Sequence, residues 1–196
     1  MKFSFLKLLF ATLLITILPF VIGLKLDGQY DVPSHIYESF TRVLMLALTS
    51  MFFLYYFKIK LLKPLQNQNI AKITYSLIAV LGLLLFSNVL FLPFNKDKLL
   101  AIYYNPPKLD YLFLLAITLV PILEELFYRK ISIDLLTRNY SNLKVILLSA
   151  LLFTIAHMLS ENASMFSVLS AGILFGYVYL KTKNIFLIIF LHILNN

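Results

Sequence analysis

The sequence contains no cysteine. Disulfides, thiolate nucleophiles and cysteine-based zinc sites are therefore excluded at the outset. Charge is scarce as well: Asp, Glu, Lys and Arg make up 13% of the chain, against about a quarter in an ordinary soluble domain. Also absent are a Gly-x-Ser-x-Gly nucleophile elbow and a His-Glu-x-x-His zinc signature. No internal repeat, low-complexity linker or stretch fit to be a soluble domain is visible.

What remains is apolar. Hydrophobic residues take 61% of the 196 positions and mean hydropathy is +0.88, more than a soluble core of this length could hide. Several runs approach the ~20 residues that cross a bilayer core as helix. The pattern predicts an all-α, polytopic membrane protein with about seven transmembrane helices, near 3–23, 36–57, 71–92, 110–128 (running on toward 138), 143–160, 164–181 and 184–196. Pro, Gly, Asn and charged residues mark the connectors 25–33, 58–69, 93–107, 138–142, 160–163 and 181–184. The chain divides into three N-terminal spans with their loops (1–109) and a C-terminal helix bundle (110–196). The first run, preceded by Lys2 and Lys7, resembles a signal peptide in outline. Its length and its lack of a small-x-small cleavage site favour a retained span.

A net charge of +8 would suit nucleic acid by amount alone. Its arrangement argues instead for a lipid bilayer and against a nucleic-acid partner, because the basic residues form short clusters between apolar runs. Lys2 and Lys7, then Lys58, Lys60, Lys63 and Lys72, then Arg129, Lys130, Arg138 and Lys144, then Lys181 and Lys183 fall on alternate connectors. On the other side Lys25, Lys96, Lys98 and Lys108 are diluted by Asp27, Asp31, Asp97 and Asp110. The asymmetry predicts a cytoplasmic N-terminus and an external C-terminus, and the compact loops without cysteine fit a bacterial inner membrane. The final run, 184–196, covers only about 20 Å as helix. It is either a half-span buried by its neighbours or a longer helix cut short.

Ionisable groups inside membrane spans are expensive and mark functional sites by default. Three segments carry them. In Pro121-Ile-Leu-Glu-Glu-Leu-Phe-Tyr-Arg129, adjacent glutamates lie about 100° apart on a helix and do not share a face. Glu125 and Arg129 stand at i,i+4 in the favoured order for an ion pair, which leaves Glu124 without a cation of its own and open to work as a general base or acid. The plainer reading is an interfacial charge cluster, with Arg129 and Lys130 anchored in headgroups. His157, in Phe153-Thr-Ile-Ala-His157, sits in an apolar span where a histidine is often just an interhelical hydrogen-bonding group. Counted outward from a turn at 139–142, however, Glu124 and His157 are equally distant, so an antiparallel helical hairpin brings them to one depth. In His192-Ile-Leu-Asn-Asn196, His192 and Asn196 are one turn apart and able to donate to a developing oxyanion, unless they merely pack and terminate the bundle.

A carboxylate base, a histidine to hold water and two oxyanion donors suffice to hydrolyse a peptide bond without a protein nucleophile. Ser149, Ser167 and Ser170 are serines with no supporting motif. No cofactor is required, although Glu124, His157 and His192 leave a three-ligand zinc site geometrically open. The remaining features have bland readings. Gly172 and Gly176 form a close-packing face, His35 lies in a solvated external loop, Ser87 and Asn88 bond between helices, and Tyr103 and Tyr104 anchor at an interface.

Glu124-Glu125-x-x-x-Arg129, Phe153-x-x-x-His157 and His192-x-x-x-Asn196, in this order on separate spans, resemble the CPBP family of intramembrane proteases over roughly 110–196. This is the CAAX protease and bacteriocin-processing (Abi) group, related to type II CAAX prenyl endopeptidases. The resemblance implies that Glu124 is the base, that His157 orients the water, and that His192 and Asn196 stabilise the oxyanion. Glu125, Arg129 and Phe153 would support them. It implies a membrane-associated, prenylated or peptide substrate and a glutamate-activated water, although the family is also described as metalloproteases. Domains of the family run on past the last motif, whereas this sequence ends on Asn196. The competing expectation is a non-catalytic immunity or regulatory protein with the same fold, which a Glu124→Ala strain would distinguish by keeping its phenotype. A small-solute transporter is disfavoured, because its halves should show internal symmetry. Oligomeric state is left open.

Overall fold

The computed structural model describes residues 5–26, 34–59, 78, 82, 111–159 and 164–195. Among these there is no strand. The helices are α1 (Phe5–Leu26), α2 (Ser34–Tyr56), α3 (Tyr111–Glu124), a π-helical segment (Glu125–Ile131), α4 (Ser132–Leu136), α5 (Asn142–Ala156), α6 (Met165–Thr182) and α7 (Ile185–Asn195). Among the described residues, three stretches are long and apolar enough to cross a membrane: Phe5–Lys25, Ser39–Tyr56 and Met165–Thr182. Helices α5 and α7 are apolar but shorter, with 15 and 11 residues. The span expected at 71–92, with Ser87 and Asn88, lies outside the described residues apart from 78 and 82, as do Tyr103 and Tyr104. His35, expected in a loop, is in the first turn of α2.

Helix α1 shows which solvent this fold is built for. Leu6, Phe10, Leu14, Ile17 and Val21 recur at three- and four-residue spacing and point outward, while Thr12 and Thr16 are buried beside Leu8 and Ile15. Apolar outside and polar inside is the reverse of a soluble helix, and it suits a surface facing lipid. The inward threonine is satisfied locally, Thr16 Oγ1 donating to the Thr12 carbonyl at 2.8 Å.

The stretch after α3 departs from the expected continuous α-helix. Over Glu125–Ile131 the chain forms a π-helix, with bonds one residue longer than in an α-helix. Such a turn leaves carbonyls without their usual amide partner, which is costly in a membrane. Two buried serines fill the gap. Ser132 Oγ donates to the Phe127 carbonyl and Ser149 Oγ, from α5, to the Tyr128 carbonyl, each at 2.8 Å. Six of the seven π residues are buried, Arg129 and Lys130 among them. These two cations are therefore not headgroup anchors. Lys130 pairs with Asp134 at 2.6 Å, and Tyr179 Oη (3.3 Å) and Lys183 Nζ (3.6 Å) meet the same carboxylate.

Helices α5 and α6 pack so closely that a Cβ on Gly172 would lie 3.1 Å from Ala150 Cα and Cβ, whereas one on Gly176 would meet, among the described residues, nothing nearer than Ile146 Cγ2 at 3.7 Å. The backbone at Ala150 cannot swing aside as a side-chain tip can. Gly172→Val is therefore expected to lower stability by about 1–3 kcal/mol, and Gly176→Ala to be tolerated. Thermal unfolding in detergent checks both, and equal midpoints for the two variants would contradict the close approach.

Candidate active site

The C-terminal end of α5 supplies the first imidazole. His157 follows the last helical residue with φ −102° and ψ 1°, in the sparsely allowed bridge region. A helix end leaves its last carbonyls without amide partners. The His157 side chain caps one of them, its Nδ1 lying 2.8 Å from the Phe153 carbonyl oxygen. A carbonyl only accepts, so Nδ1 carries the proton, and a neutral ring turns a bare Nε2 elsewhere. That Nε2 lies 3.7 Å from Glu124 Oε1.

Helix α7 supplies the second. Asn184 Oδ1 accepts from the Leu187 amide at 3.2 Å and caps the helix start, seating His192 about two turns in. His192 Nδ1 is 2.7 Å from Glu125 Oε1, and its Nε2 is 3.9 Å from Glu124 Oε2. Glu125 Oε2 is in turn 3.1 Å from Arg129 Nε. A carboxylate paired with a guanidinium accepts, so His192 also donates through Nδ1 and turns Nε2 toward Glu124. Both imidazoles therefore present the same nitrogen to one buried carboxylate, at separations too long for a direct hydrogen bond.

The expected Glu125–Arg129 pair is formed, and Arg129 is fully buried. Its guanidinium carbon lies 4.0 Å from the centre of the Phe153 ring and 5.5 Å from that of Phe175. Its nitrogens reach no hydrogen-bond partner in good geometry among the described residues, so charge and ring faces hold it. Phe153 is the hub: its ring is 4.4 Å from the His157 ring and 5.7 Å from that of His192.

Two expectations need correction. Glu124 and Glu125, expected not to share a face, are both buried and both approach one side chain, His192, which lies between them. Nor is Glu124 without a cation: Arg42, on α2, places Nη2 3.3 Å from Glu124 Oε1 and donates to the Ala156 carbonyl at 2.9 Å. Arg42 escaped the sequence reading. Asn196 lies outside the described residues, so its place beside His192 is not described. Ser149 and Ser170 spend their hydroxyls on backbone carbonyls, while the buried Ser167 hydroxyl finds no hydrogen-bond partner among the described residues.

The donor chemistry at Glu124, His157 and His192 would suit a metal ion, since ligating histidines commonly donate their other ring N–H to a carboxylate or carbonyl. The geometry does not fit as it stands, because no three His, Asp or Glu side chains among the described residues converge closely enough to hold one. The side chains of His157 and Arg42 are 16% and 20% exposed, against 3% for Glu124.

Residues 106–196 match the family model described as type II CAAX prenyl endopeptidase Rce1-like, in agreement with the resemblance carried by the three sequence motifs. No curated protein and no solved structure matches the chain.

Proposed function

We propose, from the premise that residues 106–196 belong to the Rce1-like family, that the chain is an intramembrane endopeptidase. It cleaves a peptide or prenylated protein substrate near its membrane junction with water activated by Glu124. The observation that carries this reading is the arrangement of one buried carboxylate facing two imidazole Nε2 atoms at 3.7 and 3.9 Å. A water in front of them loses a proton to Glu124, and its oxygen adds to the scissile carbonyl carbon. His157, oriented through Nδ1, holds that water. His192 binds a proton from solvent at Nε2 before the attack, and that N–H donates to the oxyanion, with Asn196 assigned as its second donor. Collapse breaks the C–N bond, and the amine leaves with the proton that Glu124 took from water, passed directly or through His157 Nε2. The Glu125–Arg129 pair keeps His192 in the required tautomer, and Phe153 supports both rings.

In the same reading the chain crosses a bacterial inner membrane seven times with its N-terminus in the cytoplasm, and the reaction needs no metal. The test is purified protein in bicelles with an internally quenched, farnesylated CAAX-type peptide. Release of the C-terminal fragment is expected, with a rate unchanged after treatment with 1,10-phenanthroline or EDTA. Loss of turnover on chelation, restored by zinc, would replace the unassisted water by a metal-bound one.

A further inference from the structure

Arg42 lies in the stretch Ser39–Tyr56, apolar enough to cross a membrane, and outside the family-matched residues 106–196. A guanidinium at such a place is costly and has to be held by specific partners. Its Nη2 has two, on different elements: Glu124 Oε1 at the end of α3 (3.3 Å) and the carbonyl of Ala156 (2.9 Å), the residue just before His157. That carbonyl is one of those a helix end leaves without an amide. The buried Nε, by contrast, finds no hydrogen-bond partner among the described residues. Among the described residues, the contacts of Nη2 fall on the carboxylate and on the backbone that carries His157. Glu124 Oε2 is left facing His192 Nε2 at 3.9 Å.

We infer that Arg42 is a positioning residue for the hydrolytic centre. By holding Glu124 Oε1 and the Ala156 carbonyl with one nitrogen, it fixes the separation of the carboxylate from the His157 ring and leaves Oε2 to take the proton of water. The inference rests on Glu124 being the base. It makes α2 a working part of the site, which residues 106–196 alone do not complete.

The test uses the full chain in bicelles with the farnesylated, internally quenched peptide, comparing Arg42→Gln, Arg42→Lys, Glu124→Gln and Arg42→Gln/Glu124→Gln. Arg42→Gln is expected to lower kcat about a hundredfold, as misplaced catalytic groups do, with KM changed by less than about twofold. Arg42→Lys, which keeps a charge for Oε1, should recover part of kcat. Arg42→Gln should also lower the unfolding midpoint, and this effect should largely vanish in the Glu124→Gln background, where no carboxylate is left unpaired. A kcat for Arg42→Gln within about twofold of the parent while Glu124→Gln is inactive would overturn the inference. So would additive unfolding shifts, or equal losses of kcat in the Gln and Lys variants. Parental turnover in Glu124→Gln would instead overturn the base assignment, whatever Arg42 does.

Discussion

Glu124→Gln is expected to reduce hydrolysis by about four orders of magnitude, to background, while the protein stays folded and inserted. Glutamine keeps the volume of the side chain and a carbonyl oxygen for Arg42, so the contact made by Oε1 at 3.3 Å has a replacement. Arg42 also keeps the Ala156 carbonyl as a hydrogen-bond partner. What disappears is the ability to accept a proton from water. Turnover of the quenched peptide and thermal unfolding, measured on one preparation, separate the two effects. Activity surviving in a well-folded variant would sink the mechanism.

Arg129→Met is expected to have the largest effect on folding. Its guanidinium is fully buried, 3.1 Å from Glu125 and 4.0 Å above the Phe153 ring. Removing one member of a buried pair strands the other charge, at a cost of about 3–5 kcal/mol. Removing both is often close to neutral, so Glu125→Leu/Arg129→Met should regain most of the lost stability. It should not regain turnover, because His192 Nδ1, now 2.7 Å from Glu125 Oε1, loses its acceptor. Unfolding midpoints in detergent decide the point: a single variant within about 1 kcal/mol of the parent would show that the pair contributes little.

Apolar runs made the helical, membrane-embedded character legible in the sequence, since nothing else explains such composition at this length. Local spacing also revealed the Glu125–Arg129 pair, because i,i+4 geometry depends on four residues alone. The proximity of Glu124 to His157 followed from counting along a hairpin. Its success did not require the regular helix that the count assumed, since the π-helical turn at Glu125–Ile131 interrupts it. That turn was hidden because its carbonyls are satisfied by Ser132 and, from another helix, by Ser149. Arg42 was hidden for a different reason. An arginine in an apolar span was the available signal, but its partner lies 82 positions away, and no periodicity reports that contact. Likewise, anchoring of Arg129 and Lys130 in headgroups stayed open as the plainer alternative to the ion pair because spacing shows charge but not burial.

The most direct test leaves the choice of substrate to the cell. Membrane-fraction proteomics of cells making the parent protein or Glu124→Gln at equal levels should reveal at least one membrane peptide or lipid-anchored protein that accumulates uncut with the variant. Its shortened product should appear only with the parent. Identical sets of cleaved and uncut membrane peptides in the two strains would contradict a hydrolytic role for Glu124.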